Sequence, residues 1–251
     1  MHFGAAAAAL GPRTLAVGAP LAHGGGVQRG EVRIAALTED GSEELAVIDS
    51  DSGLPLVDSG RFGSALCAVP SGGEEVVGGF STRLAVGAPG VALNDAPDII
   101  GVVYVLTLHA NGSVAAFATI SSSSPGFDPS PALRAGYQFG GSLAALDVDG
   151  DGTSELAVGA PLVQREDAGW AEPLPTASGT GTVFILFLEL GATTASVVRH
   201  ARIDGEPLIT EEPLSAYRFA LSLAAVPDSD GDGVPELAVG YSKTSSRPLR
   251  A

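Results

Sequence analysis

One cysteine, one tryptophan and thirteen Lys plus Arg in 251 residues leave this sequence short of three common resources. Cys67 has no partner for an intramolecular disulfide, so stability must come from packing, with bound metal as the available supplement. Cations are too few to cluster against nucleic acid or an anionic membrane, and 29 Asp plus Glu set the net charge at −16. An acidic chain of this kind can instead hold cations. The longest apolar run, Val183 to Leu188 with its flanks, is far below the ~20 residues of a membrane helix, so no span is expected. Met1 to Leu10 has neither a basic n-region nor a cleavage site, so no signal peptide is visible.

What the sequence does have is glycine and proline, 34 and 17 residues, dispersed between apolar runs in a chain that is 45% hydrophobic. That is the punctuation of many short strands joined by turns, and the fold class expected is all-β. A Leu-Ala-Val-Gly core recurs four times, at Leu15, Leu84, Leu156 and Leu237, with Ala-Pro following the first three. A Phe-led partner precedes each copy, at Phe3, Phe62, Phe139 and Phe219. Each of the first three copies is followed by an apolar run opened by Gly30, Gly101 or Gly181, then by a weaker fourth run. The Phe3 copy is a degraded one.

Four-strand units repeated in fixed order are the signature of propeller blades. The third strands are apolar at consecutive positions, as expected where neighbouring blades cover both faces. We read residues 1–251 as a single β-propeller segment of four-stranded antiparallel blades, at about 3–50, 62–121, 139–203 and a partial 219–242. About three full blades plus one hairpin cannot close a ring, and the chain is expected to be a fragment of a longer propeller.

Between strands one and two of the last two units lies Asp-x-Asp-Gly-Asp-Gly-x-x-Glu. Asp147, Asp149, Asp151 and Glu155 supply carboxylates in the first loop and the Thr153 carbonyl lies between them. Asp228, Asp230, Asp232 and Glu236, with the Val234 carbonyl, repeat the set. Calcium takes six to eight oxygens, and acids at alternate positions of a Gly-bent loop can converge on it. An EF-hand would need Glu at its twelfth position, where Val158 and Val239 stand. Two Ca2+ sites are therefore expected, structural in role. Arg83 replaces the last acid in the second unit and the first unit has no acidic loop, so neither is expected to bind metal.

With Phe62-Gly63, Phe139-Gly140, and the Gly-Ala-Pro runs ending at Pro20, Pro89 and Pro161, the units resemble the FG-GAP repeats of integrin alpha-subunit β-propellers. The resemblance implies a non-enzymatic, extracellular or cell-surface protein that mediates adhesion or ligand recognition. Its partners would be a protein or glycan ligand and a second subunit. The alternatives are an accessory propeller of a secreted hydrolase of the glycosylphosphatidylinositol phospholipase type, or a purely structural scaffold. His23 to Gly26 lacks an accompanying nucleophile elbow, and no catalytic residue is assigned. Asn111-Gly-Ser113 is both a hairpin turn and a glycosylation sequon. Trp170, in a Pro-rich loop, is the candidate partner contact, with packing beneath its own loop as the alternative.

Overall fold

The computed structural model describes residues 3–70, 82–91, 100–129, 137–161, 181–191, 193–205 and 217–243. Three four-stranded sheets and one two-stranded sheet follow one another along the chain, each strand pairing with its sequence neighbour. The first sheet contains β1 (Ala6–Gly11), β2 (Thr14–Ala19), β3 (Glu31–Thr38) and β4 (Gly41–Ile48). The second contains β5 (Ala65–Pro70), β6 (Thr82–Ala88), β7 (Val102–Leu108) and β8 (Val114–Ile120). The third contains β9 (Ser142–Leu146), β10 (Glu155–Ala160), β11 (Thr182–Leu190) and β12 (Ala195–Asp204). The fourth pairs β13 (Tyr217–Val226) with β14 (Glu236–Lys243). All pairings within sheets are antiparallel. The only helical turn among the described residues is a 3-10 turn at Ser50–Ser52, and no helix there is long and apolar enough to cross a membrane.

The sheets stack face on face in chain order, with the first strands aligned: β1 meets β5, β5 meets β9, and β9 meets β13. The composition of each strand follows from this stacking. Every residue of β7 is buried, because Tyr104, Leu106 and Leu108 face the first sheet while Val103 and Val105 face the third. On β11, Phe184, Leu186 and Leu188 pack toward the second sheet, and Val183 and Ile185 toward the fourth. Consecutive apolar residues therefore satisfy both faces of one strand. The pairing of third and fourth strands shifts register once in each of the three sheets, at matching places in the second and third (Thr107/Leu108 and Phe187/Leu188) and two residues earlier in the first (Ile34/Ala35). Such bulges increase local twist, which suits sheets that must splay outward from a shared row of first strands.

The two short motifs are the mating parts between neighbouring sheets. Within a unit, the Phe-Gly turn is closed by the glycine of Gly-Ala-Pro: Gly4, Gly63 and Gly140 donate to the carbonyls of Gly18, Gly87 and Gly159, at 3.0, 3.1 and 3.1 Å. Between units, the same glycines leave room for the next turn. A Cβ on Gly18, Gly87 or Gly159 would run into the backbone of Gly63, Gly140 or Ala220. The phenylalanine then fills the space behind the following third strand. Phe62 and Phe139 donate from their backbone N–H to the carbonyls of Arg29 and Ile100, at 2.9 and 2.8 Å. Phe62, Phe139 and Phe219 are buried, whereas Phe3 is 57% exposed.

A polar tie secures the first of these joints. Tyr104 packs edge-on against Phe62, ring centroids 5.3 Å apart, and donates its hydroxyl to the Pro55 carbonyl at 3.1 Å. Burial pushes its phenol up to about 12. Tyr104→Phe leaves the Pro55 carbonyl without that donor and is expected to cost about 1 to 2 kcal/mol in a urea melt. An unchanged midpoint would show that the carbonyl finds solvent instead.

Candidate metal centres

The β9–β10 and β13–β14 turns are built around their first aspartate. Asp147 accepts from the N–H groups of Gly150 (2.8 Å), Asp151 (3.2 Å) and Gly152 (2.9 Å). Asp228 accepts from Gly231 at 2.7 Å and Gly233 at 2.9 Å. These bonds curl each loop over its own carboxylate, which requires positive φ at Gly150 and Gly152 (74° and 87°) and at Gly231 and Gly233 (85° and 92°). At the far end, Glu155 accepts from the Val148 N–H at 2.9 Å, and Glu236 from the Ser229 N–H at 3.0 and 3.1 Å. The loop is thus closed from both sides by carboxylate-to-amide bonds, and glycine stands where the curl needs it.

This folding brings Asp147, Asp149 and Glu155 together, with one carboxylate oxygen from each within 4.8 Å of the others; Asp228, Asp230 and Glu236 form the matching group. Asp151 and Asp232 lie outside these triplets, and their carboxylates accept from the N–H of Thr153 and Val234 at 2.7 and 2.8 Å. Those two residues, expected to offer carbonyls, are half-buried in the descending arm.

The two groups differ electrostatically. Glu155 is buried, and burial pushes its carboxyl above the usual carboxylate range; the Val148 N–H opposes this, and Asp149, Asp151 and Asp147 add to the upward push. Glu236 is held below that range, first by the backbone N–H of Ser229. A buried carboxylate facing three like charges, in a set of hard oxygen donors, fits a divalent cation of the calcium type.

Sequence reasoning missed the residue that completes the first loop. Arg199, on β12, donates to Asp149 at 2.8 Å. Asn111 turns the β7–β8 hairpin, its Oδ1 accepting from the N–H and hydroxyl of Ser113 at 3.1 and 2.7 Å. Arg83 stands buried on β6 where Glu155 and Glu236 open their strands, and a guanidinium N–H donates to the Gly191 carbonyl. Trp170 lies outside the described residues, as does the whole loop between β5 and β6.

Four-stranded antiparallel sheets stacked in series, with acidic turns between first and second strands, define a repeat protein of the β-propeller type. Residues 139–186 match the FG-GAP repeat family. The chain is 31% identical to Integrin alpha-PS5 of Drosophila melanogaster over 169 residues, 66% of this chain and 14% of that protein. It is 37% identical to Integrin alpha-PS2 of the same organism over 107 residues, 42% of this chain and 7% of that protein. The chain thus carries an FG-GAP repeat and is similar to integrin alpha chains, and it spans a small part of the length of the curated relatives it matches.

Proposed function

We propose that this chain is a calcium-stiffened propeller segment of an extracellular or cell-surface protein, presenting its loops for adhesion or ligand recognition and catalysing nothing itself. The observation that supports it most directly is the same three-carboxylate group formed twice, in the same frame, at the same turn of successive sheets. Asp147, Asp149 and Glu155 would hold one Ca2+, and Asp228, Asp230 and Glu236 the other. Asp151, Asp232 and the carbonyls of Thr153 and Val234 would be available as further oxygens. Bound calcium would neutralise carboxylates that otherwise repel one another, and so hold each hairpin against its sheet. The similarity to integrin alpha chains favours a protein or glycan ligand and a second subunit as partners. A metal-hydrolase domain encoded beside this segment would overturn the adhesion reading.

Calcium is testable on the chain alone. With a dissociation constant near ~0.1 mM, ~1 mM calcium adds about 1.4 kcal/mol per site by mass action. The melting temperature of EDTA-treated protein is therefore expected to rise on adding calcium. Asp149→Ala and Asp230→Ala should each remove part of the rise, and the double variant should remove nearly all of it. A wild-type melting temperature indifferent to calcium would refute the metal reading.

A further inference from the structure

The two acidic loops are not equivalent, because one of them already holds a positive charge. Arg199 lies directly across from Phe187 in the β11–β12 ladder, immediately before that pair's register shift. Its guanidinium carbon sits 3.3 Å above the centre of the Phe187 ring. From this perch it reaches over the sheet edge and donates from Nη2 to Asp149 Oδ2 at 2.8 Å. Phe187 is itself partly buried against the core cluster shared by the third and fourth sheets, which supports the ring beneath the guanidinium. Among the described residues no guanidinium meets Asp228, Asp230, Asp232 or Glu236.

We infer that Arg199 is a built-in competitor for the cation at the 147–155 loop, making it the weaker of the two calcium sites. The inference rests on the calcium reading above. A divalent ion joining Asp147 and Glu155 must either take Asp149 from the guanidinium or share that carboxylate with it. Taking it breaks a charge-assisted hydrogen bond. Sharing it puts two cations on one carboxylate, which is electrostatically unfavourable. Both routes lower affinity. Arg199 and Asp149 are partly exposed, 60% and 36%, so water screens much of the effect. The stacking on Phe187 limits how freely the guanidinium can leave. Together these set the expected penalty at about tenfold in affinity. The loop at 228–236 would fill first as calcium rises, and the loop at 147–155 would respond at higher concentration.

Calorimetric titration of the full chain with CaCl2 after chelation tests this, using Asp230→Ala to isolate the first loop and Asp149→Ala to isolate the second. On the Asp230→Ala background, Arg199→Gln is expected to tighten binding about tenfold, and Arg199→Lys, which keeps the charge but loses the planar stack on Phe187, to tighten it by less. On the Asp149→Ala background, Arg199→Gln should have no effect. Unchanged or weaker binding for Arg199→Gln in the isolated first loop would overturn the competitor role while leaving the calcium sites intact, and weaker binding would mean that Arg199 positions Asp149 for the ion. Absence of calcium binding in both single-loop proteins would overturn the calcium reading, and this inference with it.

Discussion

Gly87→Ala is expected to lower stability by about 3 kcal/mol, a melting temperature roughly 6 to 12 °C below the parent. The added methyl has nowhere to go. It would lie 3.0 Å from the Gly140 carbonyl carbon, closer still to the attached oxygen, and 3.3 Å from the Ala65 Cβ. Two of these atoms are backbone, held by the hydrogen bond from the Gly140 N–H to the Gly159 carbonyl, so no rotamer change can relieve the clash. The second and third sheets would have to move apart along their line of closest approach, opening the core that contains Phe139, Phe184 and Val103. Gly11→Ala, where the new methyl meets nothing within 4 Å, is the control and should fall within about 0.5 kcal/mol of the parent. Equal melting temperatures for the two variants would show that close approach at this glycine does not hold the sheets together.

The other large effect lies on the opposite side of the same joint. Phe139→Ala is expected to cost about 3 to 5 kcal/mol, since the ring is fully buried and surrounded by other rings. It stacks on Phe127 at 5.3 Å and meets Phe184 at 6.0 Å, and Phe127 also contacts His200. Removing it empties the centre of an aromatic cluster drawn from the third sheet and the segment that leads into it. The backbone N–H to Ile100 survives the substitution, so the loss measures the ring. Phe3 occupies the same place in the repeat but is mostly exposed, with the Arg33 guanidinium 5.9 Å from its ring centre. Phe3→Ala should therefore cost less than about 1 kcal/mol. Chemical denaturation of the two variants side by side measures the difference, and similar losses would contradict the role assigned to the phenylalanines.

These two residues also show how far the sequence could be read. Phe139 and Gly87 stand out as repeated letters, and repetition with strand-length spacing was enough to give antiparallel units in series. That Gly87 lies against the turn at Gly140 across a sheet boundary could not be read, because that turn lies over fifty residues away. The third strands were more legible: an unbroken apolar run such as Val102 to Leu106 has one physical explanation in an all-β chain, burial on both faces. The acidic loops were legible for a different reason. Their ligand spacing is local, with the hairpin, glycines and carboxylates all within nine consecutive residues. What completes the first loop is not local. Arg199 is fifty residues from Asp149 and meets it only because β12 is the fourth strand of the same sheet. The different burial of Glu155 and Glu236 was likewise hidden, since their flanking sequences are nearly identical and only the sheets around them differ.

Arg83 gives the second sheet a different relation to its surroundings. At the place where its successors present a glutamate, it carries its own positive charge on the polypeptide and fastens it to the Gly191 carbonyl, at the outer end of β11 in the adjoining unit. That guanidinium–carbonyl bond ties the second unit to the third through a charge the polypeptide supplies itself.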